Sequence, residues 1–172
     1  MRLGVEVNVT TIEQIKQALD CEEPRYGGLA SSLAGDPKEI FDYLAGLARG
    51  HDLLMASRAV HFASKIGDHR RLALLIEASR RAEPIIRVAV AGASRNLDRD
   101  DCAEVLLPLL GDPEVGVRKI ALHSVPVIDN IDILTRVRRL FDDPNSHIRL
   151  LARKIVSERL HVTQTAARQA TS

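Results

Sequence analysis

DPEVGVRKIA, at residues 112–121, recurs thirty-one positions later as DPNSHIRLLA, at residues 143–152. Both copies begin with Asp-Pro, carry an arginine six residues after the aspartate, and carry an alanine three residues after the arginine. A motif that returns at a fixed spacing of about 20 to 50 residues is typical of repeat proteins. We therefore interpret this stretch as the joint of a structural repeat rather than as a catalytic motif.

Four arginines repeat along the chain at spacings of 29, 31 and 31 residues. They are Arg58, Arg87, Arg118 and Arg149. Three of them follow an aspartate by six residues, whereas Arg87 follows Arg81. Each arginine opens a segment with apolar residues every three or four positions, which is the period of an α-helix. A second amphipathic segment with the same period precedes each of them. The sequence therefore predicts four helical hairpins.

Asp-Pro pairs punctuate the predicted helices. They occur at residues 36–37, 112–113 and 143–144. An aspartate can cap a helix, and proline suits the first helical position because no N–H is needed there. The sequence therefore predicts that a helix starts at each pair, with the aspartate as its cap.

The stretch LLPLLGDPEVGVRKIALHSV (106–125) resembles a HEAT repeat, with a proline in its first helix and D-P-x-x-x-V-R opening its second. RRLFDDPNSHIRLLARKIV (138–156) resembles it in the same way, and residues 51–97 do so more loosely. Units near thirty residues are similar to the short HEAT-like repeats of bacterial proteins, including phycobilin lyases. The resemblance implies an all-α fold, a right-handed α-α superhelix with first helices on its convex face and second helices on its concave face.

The domain organisation follows from this pattern. We predict a single domain with an N-terminal cap of one or two helices over residues 1–35 and four HEAT-like hairpins over residues 36–160. The cap is expected because the end of a solenoid otherwise exposes an apolar face. Residues 161–172 are small and polar, which predicts a flexible tail.

The repeated charges are predicted to be structural. Six positions rotate an α-helix by about 600°, which leaves Asp112 and Arg118 on different faces. Arg118 is therefore better placed to meet an aspartate at the turn of a neighbouring repeat, and the HEAT resemblance implies the same arrangement. The predicted ladder consists of Asp52, Arg58, Arg87, Asp112, Arg118, Asp143 and Arg149.

Composition limits the class of protein. Apolar residues form 45% of the chain, but aromatic residues form only 3%, so the core must be aliphatic, which suits packed helices. The net charge of +1 lacks the basic excess typical of duplex-binding proteins. No apolar run approaches the ~20 residues of a membrane span, and no signal peptide is recognisable. We therefore expect a cytoplasmic protein in which Cys21 and Cys102 are reduced thiols.

Catalytic and metal sites are not predicted. HEAT-like hydroxylases of the deoxyhypusine type hold two irons with His-Glu dipeptides, and none occurs here. His61 and His123 fall on second helices, but two ligands in separate repeats are too few for a metal site. The chain contains neither a G-x-S-x-G motif nor a phosphate-binding glycine loop. We therefore predict no catalytic residue, no metal and no cofactor.

The outward positions of the second helices are rich in basic groups. Placing the apolar residues inward leaves eight candidates for binding a partner: Arg58, His61, Lys65, Arg95, Lys119, His123, Arg153 and Lys154. The favoured function is a non-catalytic scaffold or adaptor that binds a protein partner on the concave face. Two alternatives stay open, namely a nucleic-acid-binding module that uses a basic groove and a chromophore chaperone similar to phycobilin lyases. The oligomeric state is not predicted.

Overall fold

A computed structural model describes residues 9–21, 28, 30, 36–125 and 130–170, with backbone only for residues 9–10 and 159–170. Nine α-helices lie in these ranges, and no strand does. They are α1 (Val9–Asp20), α2 (Pro37–Arg49), α3 (Leu53–Ala63), α4 (Arg71–Ser79), α5 (Pro84–Ala93), α6 (Arg99–Leu109), α7 (Val115–Ser124), α8 (Ile131–Arg139) and α9 (Ser146–Ala170). The all-α prediction is confirmed.

The helices pack as four successive hairpins, which are α2–α3, α4–α5, α6–α7 and α8–α9. The second helices α3, α5, α7 and α9 contact one another in chain order, and so do the first helices α2, α4, α6 and α8. Helix α1 packs against α3 at the N-terminal end of the array. Two layers of helices therefore run along the chain, while the right-handed superhelix stays a prediction.

The core between the layers is aliphatic, as the composition predicts. Leu44, Leu75 and Leu106 of the first helices are fully buried, and so are Val90 and Leu122 of the second helices. Burying each such side chain stabilises the fold by about 1.5–3 kcal/mol. Alanines on the second helices are also fully buried, which lets neighbouring helices approach closely. These are Ala56, Ala59, Ala63, Ala91, Ala93, Ala121 and Ala152.

The Asp-Pro pairs have two different structural roles. Asp36 caps α2 and accepts the N–H of Lys38 at 2.9 Å, with proline at the start of the helix, as predicted. Helix α7 instead begins at Val115, so Asp112 lies two residues before the capping position. Its carboxylate accepts the N–H of Glu114 at 2.9 Å. The predicted capping role of Asp112 is therefore wrong, because this aspartate closes the turn that precedes the helix.

The turn before α9 has the same design. Asp143 accepts the N–H of Asn145 at 2.8 Å, and the side chain of Asn145 accepts the N–H groups of His147 and Ile148 at 3.0 and 3.3 Å. Asn145 therefore caps α9, and the prediction that Asp143 does so is wrong. Asp143 is 6% exposed, and its position in the turn directs its carboxylate to a neighbouring repeat.

The predicted cap and the predicted tail lie at the two ends of the chain. Helix α9 continues to Ala170, so a helix occupies most of the segment expected to be a tail. In the predicted cap, α1 is described, but most of residues 21–35 lie outside the described ranges. Among the helices of the described ranges, none is long and apolar enough to cross a membrane.

Candidate functional site

Two arginines join consecutive repeats through bidentate ion pairs. Arg118 donates from Nε and Nη2 to the carboxylate of Asp143 at 2.7 and 2.9 Å. Its Nη1 donates to the carbonyls of Asp112 and Pro113, in its own turn, at 2.8 and 2.9 Å. One guanidinium therefore closes its own turn and also holds the turn of the next repeat.

Arg87 has the same geometry one repeat earlier. It donates to the carboxylate of Asp112 at 2.7 and 3.0 Å, and its Nη1 donates to the carbonyls of Arg81 and Ala82 at 2.8 and 2.7 Å. The side chains of this pair are 11% and 6% exposed. This fork-to-fork pair therefore connects two consecutive turns through two charge-assisted hydrogen bonds.

Both aspartates of these joints stay ionised at neutral pH. Burial raises the pKa of Asp112, but hydrogen bonds from the Arg87 guanidinium and the Glu114 N–H outweigh it and lower the pKa below its ordinary value. The pKa of Asp143 is lowered in the same way, against burial, by Arg118 and the Asn145 N–H. The Arg87–Asp112 and Arg118–Asp143 pairs therefore neutralise each other within the fold.

The joint between the first two hairpins is built differently. Arg81 stands in the place that Asp112 and Asp143 occupy in the later repeats. Its Nη1 donates to the carbonyls of Ala48 and Gly50 at 2.9 and 3.0 Å, while Nε and Nη2 bind Glu83 at 3.1 and 3.0 Å. Here an arginine of the later repeat reaches back to the backbone of the earlier one.

Asp52 and Arg58 lie outside the ladder in which the sequence analysis placed them. Asp52 caps α3 by accepting the N–H of Met55 at 3.0 Å, and Arg58 donates to the carbonyl of Leu19 at the end of α1. The capping residue precedes Arg58 by six positions, whereas Glu114 precedes Arg118 by only four. Relative to the start of its helix, Arg58 therefore lies two positions later than Arg118 does. Arg58 attaches α1 to the first hairpin.

Arg149 holds the last position of the ladder. Its Nη1 donates to the carbonyls of Asp143 and Pro144 at 2.7 and 3.0 Å, as in the preceding repeats. Within the described ranges no carboxylate accepts its Nε or Nη2. Arg149 therefore closes its own turn, as Arg118 does.

The layer of second helices is poor in acidic residues. Residues 53–66, 84–97, 115–125 and 146–157 include neither aspartate nor glutamate, and Glu158 follows further along α9. Acidic residues of the helical array lie on the first helices instead, at Glu39, Asp42, Glu77, Asp100, Asp101, Glu104 and Asp132. The first helices also carry lysine and arginine residues, so the two layers differ in that the second helices alone have a clear basic excess.

Four of the eight predicted partner-binding residues come together. Arg95 lies close enough to His61 to act on its charge, as Lys65 does. Arg95 and His123 line one cavity, in which the Arg95 Nε donates to Ser124 at 3.0 Å. We call His61, Lys65, Arg95 and His123 the basic cluster. It spans the ends of α3, α5 and α7, so three repeats contribute to it.

The other four predicted residues are placed differently. Lys119 is exposed on α7. Arg58 is directed to α1, and Arg153 lies over the ring of Phe141 at 5.3 Å and donates to its carbonyl at 3.2 Å. Lys154 pairs with Glu158 at 3.7 Å on the surface of α9. Arg58, Arg153 and Lys154 therefore do not extend the basic cluster, whereas Lys119 lies one helical turn before His123 on the same face of α7.

Hydrogen bonds between repeats hold the basic cluster in place. Lys65 donates to the side chain of Asn96 at 3.3 Å, and Asn96 donates to Ser64 at 2.7 Å. The sequence analysis did not single out Asn96. The thirty-residue spacing of Ser64, Ser94 and Ser124, all of which are buried, could have indicated contacts between repeats.

The electrostatics of the basic cluster follow from its crowding. Burial lowers the pKa of His61, and the positive charges of Lys65 and Arg95 lower it further. His61 is therefore neutral at pH 7, and Lys65 and Arg95 carry the charge on that side. Two positive charges on one side of the cluster attract an anion or an acidic side chain.

A cavity of about 500 Å3 opens beside the basic cluster. It lies between the connection from α5 to α6 and the end of α7. Its lining consists of Arg95, Leu97, Asp98, Arg99, Cys102, His123, Ser124 and Val125. Arg99 and Cys102 were not predicted as site residues, because helical periodicity does not indicate which side chains meet between repeats.

The cysteines and potential metal ligands offer no reactive centre in the described ranges. Cys21 and Cys102 are both free thiols, as expected. Burial raises the pKa of Cys102, so it is a neutral thiol rather than a nucleophilic thiolate. No group of three or more His, Cys, Asp or Glu side chains that could hold a metal ion occurs among the described residues.

The chain was compared with protein-family models, curated proteins and solved structures. No family model, no curated protein and no solved structure matches the chain.

Proposed function

We propose that this protein is a non-catalytic adaptor with a HEAT-like, right-handed superhelical fold, and that it binds an acidic protein partner on its second helices. The observation that carries the proposal is the basic cluster, which lies on a layer of helices that has no acidic residue before Glu158. A surface of one charge sign attracts a partner of the opposite sign and orients it during encounter.

The ladder arginines support this assignment by elimination. Arg87 and Arg118 are bound by aspartates, which argues against a continuous track of four arginines for anions. The side chains available to a partner are those that differ between repeats, such as Lys65, Arg95 and His123. Stacked helices can vary such positions without disturbing the core.

A protein partner fits the surroundings of the basic cluster better than a nucleic acid does. Ile120 is half-buried beside Gly92, the residue that His61 also faces, and it adds apolar contact area next to the cluster. Phe62 is fully buried and Phe41 is 3% exposed, so neither can stack on a base. Apolar contacts beside charged groups are typical of protein interfaces.

Nucleic acid is the second candidate, because the same acid-poor layer could follow a phosphate backbone. The test uses a fluorescein-labelled ten-residue peptide of alternating glutamate and leucine, together with a labelled 20-base-pair DNA duplex. The Lys65→Ala/Arg95→Ala/His123→Ala variant should bind the peptide at least about tenfold more weakly in fluorescence anisotropy, a loss of about 1.4 kcal/mol or more.

The matched control removes three exposed basic residues from first helices or their ends, as Arg80→Ala/Arg138→Ala/Arg139→Ala. It should bind the peptide within about twofold of the unmodified protein, since these side chains belong to the other layer. Equal losses in both variants would show unspecific charge attraction and would overturn the proposal. Tighter binding of the duplex than of the peptide at equal salt would favour the nucleic-acid candidate instead.

A further inference from the structure

Helix α5 lies between α3 and α7 in the layer of second helices and carries an open apolar stripe. The stripe consists of Ile85, Val88, Ala89 and Gly92. We infer that the acidic partner docks on this stripe as an amphipathic α-helix, with its apolar face on the stripe and acidic residues over the basic cluster. This inference rests on the proposed function and names the structure that the partner presents.

The apolar stripe follows from the helical period and from the exposure of its members. Residues three, four and seven positions apart share one face of a helix, and the four members have this spacing. Other faces of α5 are buried at Ile86, Val90 and Ala91. By contrast, Ile85 is 45% exposed, and the other three members of the stripe are half-buried. Helix α5 therefore presents apolar surface to solvent.

Gly92 gives a partner close access to the layer of second helices. A Cβ atom at this position would lie 3.8 Å from the His61 Cε1 and 3.9 Å from the Ile120 Cγ2. These two side chains belong to α3 and α7, the neighbours of α5. Side chains of both neighbouring repeats therefore flank the stripe at the one member that has no side chain of its own.

The apolar stripe ends at the basic cluster. Helix α5 runs into a 3-10 turn over Ser94–Asn96, so Arg95 follows Gly92 by three residues, about one turn further along the helix. Lys65 reaches the same end from α3 by donating to the side chain of Asn96 at 3.3 Å. An apolar face that ends in positive charge complements an amphipathic helix that carries acidic residues.

The opposite end of the stripe lacks this positive charge. Asp52, Glu83 and Glu114 precede α3, α5 and α7 at the capping positions, and Glu83 is paired with Arg81. The acids therefore lie at the N-terminal ends of these three helices, whereas the basic cluster lies at their C-terminal ends. We expect the acidic residues of the partner helix to be concentrated at the end that lies over the cluster.

A helix suits this surface better than an extended segment does. The backbone N–H and C=O groups of α5 are bound within the helix, so the stripe offers a partner apolar side chains only. An extended segment would bury unpaired backbone groups against it, whereas a helix satisfies its own. From Ile85 to Gly92 the stripe is about 10 Å long, or two helical turns, which matches apolar residues three and four apart on the partner.

The test compares two fluorescein-labelled peptides of identical composition, built from leucine, alanine and glutamate. The amphipathic peptide has leucines three and four residues apart and glutamates in both terminal turns, so either orientation places acid over the basic cluster. The permuted peptide has the same residues in an order without a helical stripe. The amphipathic peptide should bind the full chain at least about tenfold more tightly in fluorescence anisotropy. Equal affinities would overturn the inference.

Gly92→Gln places a side chain in the path of the partner helix and should weaken the amphipathic peptide at least about tenfold. The variant should stay folded by circular dichroism, because glutamine is a better helix former than glycine. Gly46→Gln is the matched control, since Gly46 is an exposed glycine of α2 with no atom near its Cβ position. It should change Kd by less than about twofold, and equal losses in both variants would overturn the inference.

Ile85→Glu tests the stripe at its other end. It replaces apolar contact with a negative charge and should also weaken the amphipathic peptide at least about tenfold. Ile131→Glu is the matched control on α8, where the isoleucine is 69% exposed in the layer of first helices. Unchanged binding by a folded Ile85→Glu protein would overturn the inference.

The outcomes for the two proposals can be separated. If both peptides bind equally and both are weakened in the Lys65→Ala/Arg95→Ala/His123→Ala variant, the docked helix is wrong and the adaptor function stands. If Gly92→Gln weakens the amphipathic peptide but the triple variant does not, the stripe is the docking site and the role of the basic cluster is wrong. Self-association in analytical ultracentrifugation that Gly92→Gln abolishes would assign the stripe to a second copy of the chain and overturn the inference.

Discussion

The contacts between successive hairpins differ between the first joint and the two later ones. The position six residues before the repeated arginine is an arginine at the first joint and an aspartate at the later joints. At the later joints Arg87 and Arg118 reach forward to an aspartate in the next turn. At the first joint Arg81 stands where the aspartate would be and reaches back to backbone carbonyls. What the three joints share is a guanidinium that bridges two consecutive turns, and the direction of the bridge is reversed at the first of them.

The two kinds of joint differ in what is left behind when the arginine is lost. The carboxylate of Asp143 is 3% exposed, so it would become an unpaired buried charge without Arg118. At the first joint the partner acid, Glu83, is 35% exposed and can be solvated. Removing one partner of a buried pair is costly mainly because of the charge that remains. The later joints should therefore be the more sensitive ones.

The largest expected effect is that of Arg118→Ala. It should lower the free energy of unfolding by about 3–5 kcal/mol in urea denaturation, because it strands the buried Asp143 carboxylate. Binding of an acidic partner should be largely unchanged while the protein is folded, since Arg118 is not part of the basic cluster.

Arg149→Ala is the matched control for this change. Arg149 makes the same two bonds to its own turn as Arg118 but has no ion pair to a carboxylate among the described residues. Its loss should cost only about 1 kcal/mol. A fully stable Arg118→Ala protein that no longer bound a partner would contradict the structural role of the ladder.

The second effect is that of Arg81→Ala at the first joint. It removes hydrogen bonds to the carbonyls of Ala48 and Gly50, and we expect a loss of about 1.5–3 kcal/mol. Urea denaturation followed by circular dichroism measures it against Arg80→Ala, an exposed neighbour. If Arg81→Ala lowered the free energy of unfolding more than Arg118→Ala does, the burial of the paired carboxylate would not explain which joint is more sensitive.

The smallest expected effect is the decrease of the free energy of unfolding as the pH is lowered. The pKa values of Asp112 and Asp143 are lowered in the folded protein, so their contribution is complete above the ordinary carboxyl pKa of about 4 and is lost as pH falls through the lowered values. Between pH 7 and pH 3 the free energy of unfolding should fall, on the order of 1 kcal/mol for these two groups.

The Asp112→Asn/Asp143→Asn variant tests this assignment. It should start from a lower stability at pH 7 and decline less steeply than the unmodified protein as the pH is lowered. Parallel declines of the two proteins in urea denaturation at each pH would assign the acid sensitivity to other carboxyls, such as Asp68, whose pKa is lowered to about 2 by Arg70.

Several features of the fold could be predicted because they depend on local chemistry. The spacing of Arg87, Arg118 and Arg149 predicts hairpins of the observed length, and the helical period places the aliphatic core. The capping role of Asp112 was mispredicted because an aspartate can cap a helix or close the turn before it. Asp52 satisfies the same spacing to Arg58 yet serves as a cap, so spacing alone does not identify a ladder position.

By itself, the sequence determined the helical hairpins and the outward basic positions of the second helices, since periodicity within one helix fixes which residues share a face. Only the tertiary structure decided that His61, Lys65, Arg95 and His123 meet while Arg58 and Arg153 turn away. The reason is that contacts between repeats depend on how neighbouring helices pack, and a single-helix pattern contains no such information.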